Sequence, residues 1–265
     1  KYCINRRSNQ RVRTSFTPEE LCTITIEFYK RNYIEGLFLS SGVVKNPTYT
    51  MELMYRTLFL LRNQYHFRGY IHAKAVPGAA PEIIQEIGYL ADRMSVNMEL
   101  PTKESLQLLA PGKSHQAILQ PMGQIRQQIQ DYRLSIGKSA SMERHFGNQY
   151  LTGGIFSFGS KSSRKLEGQT GALSGHARTP SESALPGIAS PADSFPEKTP
   201  LLKKDSRPFA PAGQSTQMII GATRENDYQL LKVTQAMYQQ YDLKRVFFSA
   251  YIPLNEDRDL PSLDT

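Results

Sequence analysis

The chain has 265 residues, of which 39% are hydrophobic, and a formal net charge of +8 at pH 7. This length accommodates one α/β barrel or two smaller domains, and the positive charge favours an anionic partner such as nucleic acid or a phosphate-bearing ligand. No apolar run approaches the roughly 20 residues needed to span a bilayer, and no signal peptide is visible, so we expect no membrane partner. The only cysteines, Cys3 and Cys22, do not form a disulfide framework, which predicts a cytoplasmic setting where thiols stay reduced.

The first predicted element is a helix in the stretch RTSFTPEELCTITIEFYKRN. Thr17 suits the N-cap position, and Glu20 completes a capping box with it. Apolar residues at helical spacing then share one face, which we expect to pack on the core. These residues are Leu21, Ile24 and Phe28.

Short apolar strands and helical stretches alternate after this helix. The segments GLFLSSG, GYIHAKAVPG and RMSVNMELPT each read as a strand that ends at Ser, Gly or Pro. Later in the chain, Met218–Ile220 is a strand, Asn226 caps a helix, and RVFFSAYIPL is a final strand. This order requires parallel strands with helical crossovers, which close into a full or partial barrel or form an open doubly wound sheet.

Composition divides the chain into three parts. Residues 1–156 and 209–265 carry the strand–helix pattern, whereas residues 157–208 are rich in Ser, Gly and Pro and poor in large apolar residues. Such a stretch cannot bury enough apolar surface to offset chain entropy, so it is predicted to be a flexible insertion. Whether it acts as a tether or as a disordered spacer stays open.

The working face of such sheets lies at the carboxyl ends of the strands. Cys3 precedes the first helix, in the position of a loop that would follow a strand upstream of Lys1. The loops that follow the predicted strands are therefore expected to converge with Cys3 on one mouth. They comprise Ser40–Gly42, Lys74–Gly78, Asn97–Thr102, Gly221–Glu225 and Ser249–Asn255.

Several longer motifs resemble one subfamily of the radical S-adenosylmethionine (SAM) enzymes, associated with DNA modification or repair. The KYC segment resembles the end of the superfamily's CxxxCxxC loop, with an aromatic residue before the last cysteine. The resemblance implies a partial (βα)6 TIM-like barrel of the radical SAM type, truncated at the N-terminus. The similar stretches, which are spread over nearly the whole chain, are CINRRSN, FYKRNYIEGLFLSSG, YIHAKAVPGA, MSVNMELPT, SLQLLAPGK, PAGQSTQMIIGAT and RVFFSAYIPL.

The resemblance also implies two cofactors, a [4Fe–4S] cluster and S-adenosylmethionine. Three thiolates hold three irons, the fourth iron binds the amino and carboxylate groups of SAM, and one electron from the cluster yields a 5′-deoxyadenosyl radical. Cys3 would be one ligand, and the preceding two cysteines would lie upstream of Lys1. These residues alone are therefore expected to be inactive, and the substrate atom that reacts is not predicted.

Two loops would contact the cofactor by analogy. Ser40, Ser41 and Gly42 take the place of the superfamily's Gly-Gly-Glu turn, which binds the amino group of SAM, although an ordinary strand-ending turn explains them equally well. Asn97 and Glu99 alternate at a strand end and would bind the ribose or the methionyl group. The alternative for these two residues is a solvated or salt-bridged strand end.

Two further residues are assigned to cofactor binding. Lys74 would meet the SAM carboxylate, although a lysine at a strand end is more often simply exposed. Gly221 permits close backbone approach to the adenine or the ribose. The superfamily pattern GxIxGxxE is partly matched here, because Arg224 stands at the position of the Glu and Glu225 follows one step later.

The remaining candidate contacts are basic or polar. Arg6 and Arg7 would bind the cofactor carboxylate or a nucleic-acid phosphate, unless they form a solvated basic loop. Gln214 and Ser215 are candidate substrate contacts ahead of a predicted strand. Cys22 and His72 are expected to be packed residues rather than catalytic ones; His72 lies within a predicted strand.

Three functional hypotheses remain open. The leading one is a radical SAM enzyme that acts on nucleic acid, with flavodoxin or ferredoxin as electron donor and a uracil-DNA glycosylase-like protein as partner, as the subfamily implies. The second is a non-catalytic nucleic-acid-binding module that uses Arg6, Arg7 and the basic linker. The third is a zinc-stabilised barrel in which Cys3 belongs to a structural site.

Overall fold

The computed structural model describes residues 1–3, 5–6, 9, 12–135, 207–253 and 260–261. These residues belong to one unit, formed by Lys1–Ala140 and Pro200–Thr265, and the second unit, Ser141–Thr199, lies outside the described residues. The predicted insertion at 157–208 also falls outside them except for its last two positions. Its boundaries and its predicted flexibility therefore stay predictions.

Five parallel strands form one sheet, and their spatial order equals their order in the chain. The predicted α/β class with a parallel sheet is confirmed. A doubly wound sheet requires a reversal of strand order, and the described strands show none. The strands are β1 (Gly36–Leu39), β2 (Tyr70–Lys74), β3 (Arg93–Ser95), β4 (Gln214–Ile220) and β5 (Leu243–Ala250).

The helices form a single layer, because five of the six helices in the described residues pack against one another in chain order; the exception is the short helix at Lys103–Leu109. Crossovers of one hand between strands in sequential order place all helices on the same side of the sheet. Within the described residues, none of these helices is both long enough and apolar enough to cross a bilayer. The helices are α1 (Pro18–Lys30), α2 (Pro47–Phe59, continued by a π-helical turn at Leu60–Gln64), α3 (Pro81–Leu90), α4 (Lys103–Leu109), α5 (His115–Ser135) and α6 (Asp227–Tyr241).

Side-chain caps fix the start of several helices. The predicted capping box of α1 is confirmed, since the Glu20 amide donates to Thr17 Oγ1 at 3.2 Å and the Thr17 amide donates to the Glu20 carboxylate at 2.8 Å. The predicted cap Asn226 forms the same reciprocal arrangement with Gln229 at the start of α6. Asn46 starts α2 by accepting a hydrogen bond from a backbone amide, which sets this helix several residues earlier than the apolar pattern indicates.

The predicted core face of α1 is confirmed at Leu21, which packs partly buried against the core, and is wrong at Ile24 and Phe28. Ile24 and Phe28 are 37% and 44% exposed, whereas Cys22, Thr25 and Ile26 are buried. The burial of Thr25 is possible because its hydroxyl donates to the carbonyl of Leu21 at 2.7 Å, so no polar atom is left unpaired. Phe28 instead packs edge-to-face on Tyr33 at the surface, with ring centroids 6.0 Å apart.

The core lies between the sheet and the helix layer. Strand residues of one parity, such as Ile71 and Met94, are fully buried against helix residues such as Met51, Leu58 and Ile87. Residues of the other parity line the opposite side, which we call the second face of the sheet. Strand register aligns two rows across it, Phe38–His72–Arg93 and Lys74–Ser95–Ser215–Arg245.

Two predicted strand boundaries are wrong, and both errors affect the site. The third strand is confined to Arg93–Ser95, and the chain that follows it stays hydrogen-bonded to β4 through Val96 and Met98 and forms an isolated bridge from Glu99 to Met218. The fourth strand begins at Gln214 rather than at Met218. Gln214 and Ser215 therefore lie within β4 instead of ahead of it.

Candidate functional site

A cluster of polar residues lies where β2 and β3 end, and the N-terminal segment contributes to it. The hydroxyl of Tyr2 hydrogen-bonds to the Glu99 carboxylate, and the charge of Cys3 acts on Lys74. Lys113, from the turn between α4 and α5, pairs with Glu99 at 2.8 Å. We call Tyr2, Cys3, Lys74, Glu99 and Lys113 the carboxyl-edge cluster. Of these five, the sequence pattern nominates Cys3, Lys74 and Glu99.

Glu99 holds a buried negative charge at the centre of this cluster. The residue is 7% exposed, and its carboxylate accepts hydrogen bonds from Lys113 and Tyr2. Its backbone adopts a φ of 67°, a left-handed conformation that is uncommon for a residue with a side chain. Two backbone hydrogen bonds to β4, with Gln217 at 3.0 Å and Ile219 at 2.7 Å, hold it there. A strained residue with a buried charge at a strand end is typical of a functional site.

Lys74 places an available cation beside this carboxylate. Burial is the main reason that the pKa of Lys74 lies below its ordinary value. The charges of Glu99 and Cys3 oppose this shift, and the charge of Lys113 adds to it. Among the residues that the structure describes, Lys74 has no ion pair closer than 4 Å. Within the described ranges, no carboxylate competes by direct pairing with an anionic ligand group for the Lys74 ammonium.

The two thiols occupy different environments. Cys3 is exposed at the carboxyl edge, whereas Cys22 is fully buried in α1, where its Sγ donates to the carbonyl of Thr57 at 3.5 Å. Burial raises the pKa of the Cys22 thiol to about 12. The prediction that Cys22 is a core residue is confirmed.

The fit of a [4Fe–4S] cluster to these residues is partial. The exposed Cys3 thiol at this edge can ligate iron. A [4Fe–4S] cluster of the radical SAM type takes three thiolates, however, and Cys3 supplies one of them. The described ranges contain no group of three or more His, Cys, Asp or Glu residues that could hold a metal ion. No reaction step through a cluster is therefore derived from these residues alone.

A row of amide and hydroxyl groups links the ends of β3, β4 and β5. Asn97 Nδ2 donates to Gln217 Oε1 at 3.5 Å, and Gln217 Nε2 donates to the hydroxyl of Ser249. Asn97 is 8% exposed, so its side chain is held rather than solvated. Groups of this kind can donate to and accept from the hydroxyls of a ribose.

Open space surrounds the two glycine turns at this edge. A Cβ added to Gly42 or Gly221 would have no heavy atom within 4 Å. Gly221 also has a φ of +76°, which favours glycine. Ser40 and Ser41 are exposed, and the Ser41 hydroxyl donates to the carbonyl of Gly42 at 2.7 Å. Both turns can therefore accept a ligand group close to the backbone.

Glu225 is committed to a structural role. Its carboxylate accepts hydrogen bonds from the hydroxyls of Thr102, at 2.6 Å, and Ser105, at the start of α4. Burial favours the neutral acid, but the hydrogen bonds from Ser105, Thr102 and Thr223 outweigh it and lower the pKa of Glu225. Glu225 ties the loop after β4 to α4, and Arg224, at the Glu position of the superfamily pattern, is exposed.

The arginines after Cys3 belong to a folded loop. Arg6 Nε donates to Asn9 Oδ1 at 2.9 Å, and the Asn9 side chain donates to the carbonyl of Cys3 at 3.4 Å. Arg13 donates to the carbonyls of Arg6 and Asn9, both at 2.5 Å. These contacts give Arg6 a role in shaping the loop that presents Cys3. Arg7 lies outside the described residues.

The two predicted contacts in β4 point to different places. Gln214 Nε2 donates to the carbonyls of Met122 at 3.1 Å and Tyr241 at 2.6 Å, so its side chain lies in the helix layer. Gln214 is therefore not brought together with the cluster. Ser215 lies on the second face, is 1% exposed, and its hydroxyl has no partner among the described residues.

Sequence reasoning missed Tyr2 and Lys113. Tyr2 is the aromatic residue before Cys3, and Lys113 closes the segment LLAPGK, so both fall inside stretches that carry the family resemblance. Their contacts with Glu99 arise from segments far apart in the chain, and no periodicity signals them. Comparison of the chain with protein-family models, with curated proteins and with solved structures finds no match.

Proposed function

We propose that the chain forms most of the catalytic domain of a radical SAM enzyme that acts on nucleic acid or a nucleotide. The observation that carries the proposal is that the N-terminal segment reaches the carboxyl edge, where Glu99 acts on Tyr2 and Cys3 lies close enough to influence the pKa of Lys74. The exposed Cys3 thiol, the Lys74 ammonium group, which has no ion pair among the described residues, and the buried Glu99 carboxylate all lie at this edge, as the resemblance leads us to expect. Neither the thiol nor the cation is needed to fill the core.

A partial (βα)6 barrel is the architecture that suits this proposal. Sequential strand order with one layer of helices supports it, because a sheet of this topology curves away from the helices around its second face. The second face would then line the inside of the barrel. Its polar residues, including Lys74, Asn97 and Gln217, would face the cofactors and the substrate.

A [4Fe–4S] cluster bound here would supply the one-electron reducing power for the cleavage of SAM. In this proposal the Cys3 thiolate is one of its ligands, and Lys74 pairs with the methionyl carboxylate of SAM. Asn97 and Gln217 donate to the ribose, and Glu99 holds Lys74 in its charged form by electrostatic attraction. The turns at Ser40–Gly42 and Gly221 leave room for the amino group and the adenine.

The proposal requires partners that the chain does not supply. Two more thiolates must come from outside these 265 residues, and an electron donor such as flavodoxin or ferredoxin must reduce the cluster. A cytoplasmic setting, in which thiols stay reduced, and a uracil-DNA glycosylase-like partner remain part of the proposal. The net charge of +8 supports an anionic nucleic-acid substrate.

The test is the cluster content of the intact gene product after anaerobic reconstitution with iron and sulfide. We expect about four irons per chain and a brown chromophore in the wild type, and loss of both in Cys3→Ala. Cys22→Ala is the matched control, because its thiol is buried in α1 and should leave the cluster intact. Stoichiometric zinc in place of iron, or an unchanged cluster in Cys3→Ala, would overturn the assignment.

A nucleic-acid-binding module without chemistry is the second candidate. The observation in its favour is a set of rings on the second face, Phe38, Tyr70 and Phe247, that are 59%, 43% and 44% exposed. Arg93 and Arg245 lie on the same face, and such surfaces stack bases and pair with phosphates. Oligonucleotide binding that weakens steeply with salt, without any cleavage of SAM, would favour this candidate.

A further inference from the structure

A polar cavity lies at the edge of the sheet opposite the carboxyl-edge cluster, where β2 and β3 begin. Its volume is about 390 Å³, which falls in the range of about 300–1,000 Å³ typical of small-molecule sites. Three guanidinium groups, one imidazole and one carboxylate surround it. The residues that line it are Arg62, His66, Phe67, Arg68, Asp92 and Arg207.

Arg62 forms a rigid wall of this cavity. Its side chain is 5% exposed, and its Nη2 donates to Asp92 Oδ2 at 2.7 Å. The same carboxylate oxygen accepts the backbone amide of Ile71 at 2.7 Å. One oxygen of Asp92 is thus held by Arg62 and by the start of β2. The other hydrogen bonds of Arg62 go to the carbonyl oxygens of Leu90 at 3.0 Å, Phe67 at 2.7 Å and Gly69 at 2.9 Å.

Positive charge in the cavity exceeds negative charge. Arg68 and Arg207 have no ion pair with any residue in the described part of the chain. Burial and, after it, the charge of Arg207 lower the pKa of Arg62, and both residues line the cavity. Among the described residues Asp92 is paired with Arg62, and no other carboxylate lines the cavity, so Arg68 and Arg207 have no counterion within this part of the chain.

We propose that this cavity binds a phosphate dianion, free or carried by a small molecule, between the guanidinium groups of Arg68 and Arg207. A phosphate monoester carries close to two negative charges at pH 7, which matches the two uncompensated arginines. A carboxylate would neutralise only one of them. The planar fork of each guanidinium can donate two parallel hydrogen bonds to phosphate oxygens, whereas four of the five N–H donors of Arg62 are committed to the fold.

This site is independent of the carboxyl-edge cluster and of the proposed radical chemistry. It lies where the strands begin, and Cys3, Lys74 and Glu99 lie where they end. Binding at Arg68 and Arg207 would join the segment that leads into β4 to the segment that leads into β2. Loss of iron or of SAM turnover would therefore leave phosphate binding intact, so the two proposals can fail separately.

The test is isothermal titration of the full chain with inorganic phosphate and with ribose 5-phosphate, at low ionic strength and at 0.15 M salt. Arg68→Gln and Arg207→Gln should each weaken binding of both probes about tenfold or more, since each removes charge-assisted hydrogen bonds. Arg31→Gln, which removes an exposed arginine at the end of α1, should leave the affinity unchanged. Tighter binding of ribose 5-phosphate than of phosphate would identify a phosphorylated small molecule, and equal binding would identify orthophosphate.

Three results would overturn the proposal. The first is no binding of either probe at millimolar concentration by a folded wild type. The second is binding that neither arginine substitution weakens, which would assign the anion to another surface. The third is displacement of phosphate by a single-stranded oligonucleotide without a terminal phosphate, which would make the cavity a nucleic-acid contact. Arg68 is exposed, so its substitution is not expected to prevent folding, and circular dichroism provides the check.

Discussion

Replacement of Glu99 by Gln tests whether the carboxyl-edge cluster is an electrostatic unit. The carboxylate of Glu99 has a side-chain exposure of 9%, and it pairs with Lys113, whose side chain is 37% exposed, at 2.8 Å. Removal of one partner of a buried pair costs about 3–5 kcal/mol, and an exposed pair contributes about 0.2–1 kcal/mol. Because solvent screens Lys113, we expect a loss of about 2 kcal/mol in the free energy of unfolding. The loss arises mainly because Lys74 and Lys113 then face each other without the intervening negative charge.

Urea unfolding at pH 7 measures this loss, provided that the m-value stays constant. Glu27→Gln is the matched control, since Glu27 pairs with Lys30 and Arg31 at the surface of α1 at 3.7 and 3.3 Å. Its expected cost is about 0.5 kcal/mol or less. In Glu99→Gln the pKa of Lys74 should also fall further, because Glu99 favours the charged ammonium, and competitive amine labelling reports this shift. Equal costs for the two substitutions, with unchanged labelling of Lys74, would refute the reasoning.

Three further predictions concern single residues. Burial and then the charge of Arg93 lower the pKa of His72 to about 4, so an NMR titration should show one imidazole that protonates near pH 4. The free energy of unfolding should fall as the pH drops from about 6.5 to about 4, because the unfolded chain takes up this proton first. Titration of all histidines near pH 6.5 would contradict this prediction. Gly88→Ala should cost about 1–3 kcal/mol in urea unfolding, because the added Cβ would lie 2.0–2.7 Å from ring atoms of the buried Phe209, and an unchanged midpoint would count against this packing. In the native protein a thiol reagent should modify Cys3 quickly and Cys22 only after unfolding; equal rates would show that one of the two environments is wrong.

Local signals in the sequence were sufficient for most of the helices and strands. The capping boxes at Thr17 and Asn226 depend on residues three positions apart, so the sequence alone reveals them. The prediction of the buried face of α1 failed at Ile24 and Phe28. The hydroxyl of Thr25 donates a hydrogen bond to the carbonyl of Leu21 in the same helix, so Thr25 can be buried in place of an apolar residue. The third strand ends at Ser95, earlier than predicted, where the side chain of Thr216 takes the place of the β4 backbone as the partner of the Val96 carbonyl and the Met98 amide, and no local sequence signal reveals this.

The candidate site was predictable where it depends on strand ends and not where it depends on distant contacts. Lys74 and Glu99 follow from the rule that parallel strands meet at their carboxyl ends. Lys113 and Tyr2 reach Glu99 from other parts of the chain, and only the folded structure reveals those contacts. The side chain of Gln214 was expected at the site, but the true start of β4 turns it towards the helix layer.

The most direct test of the central claim is cleavage of S-adenosylmethionine by the reduced, anaerobically reconstituted gene product, measured as 5′-deoxyadenosine formed with and without DNA. The account predicts product in the wild type, none in Cys3→Ala, and a higher KM for S-adenosylmethionine in Lys74→Gln, whose cation would otherwise bind the methionyl carboxylate. Absence of product from a wild type that holds an intact cluster, or equal product from Cys3→Ala, would contradict the claim.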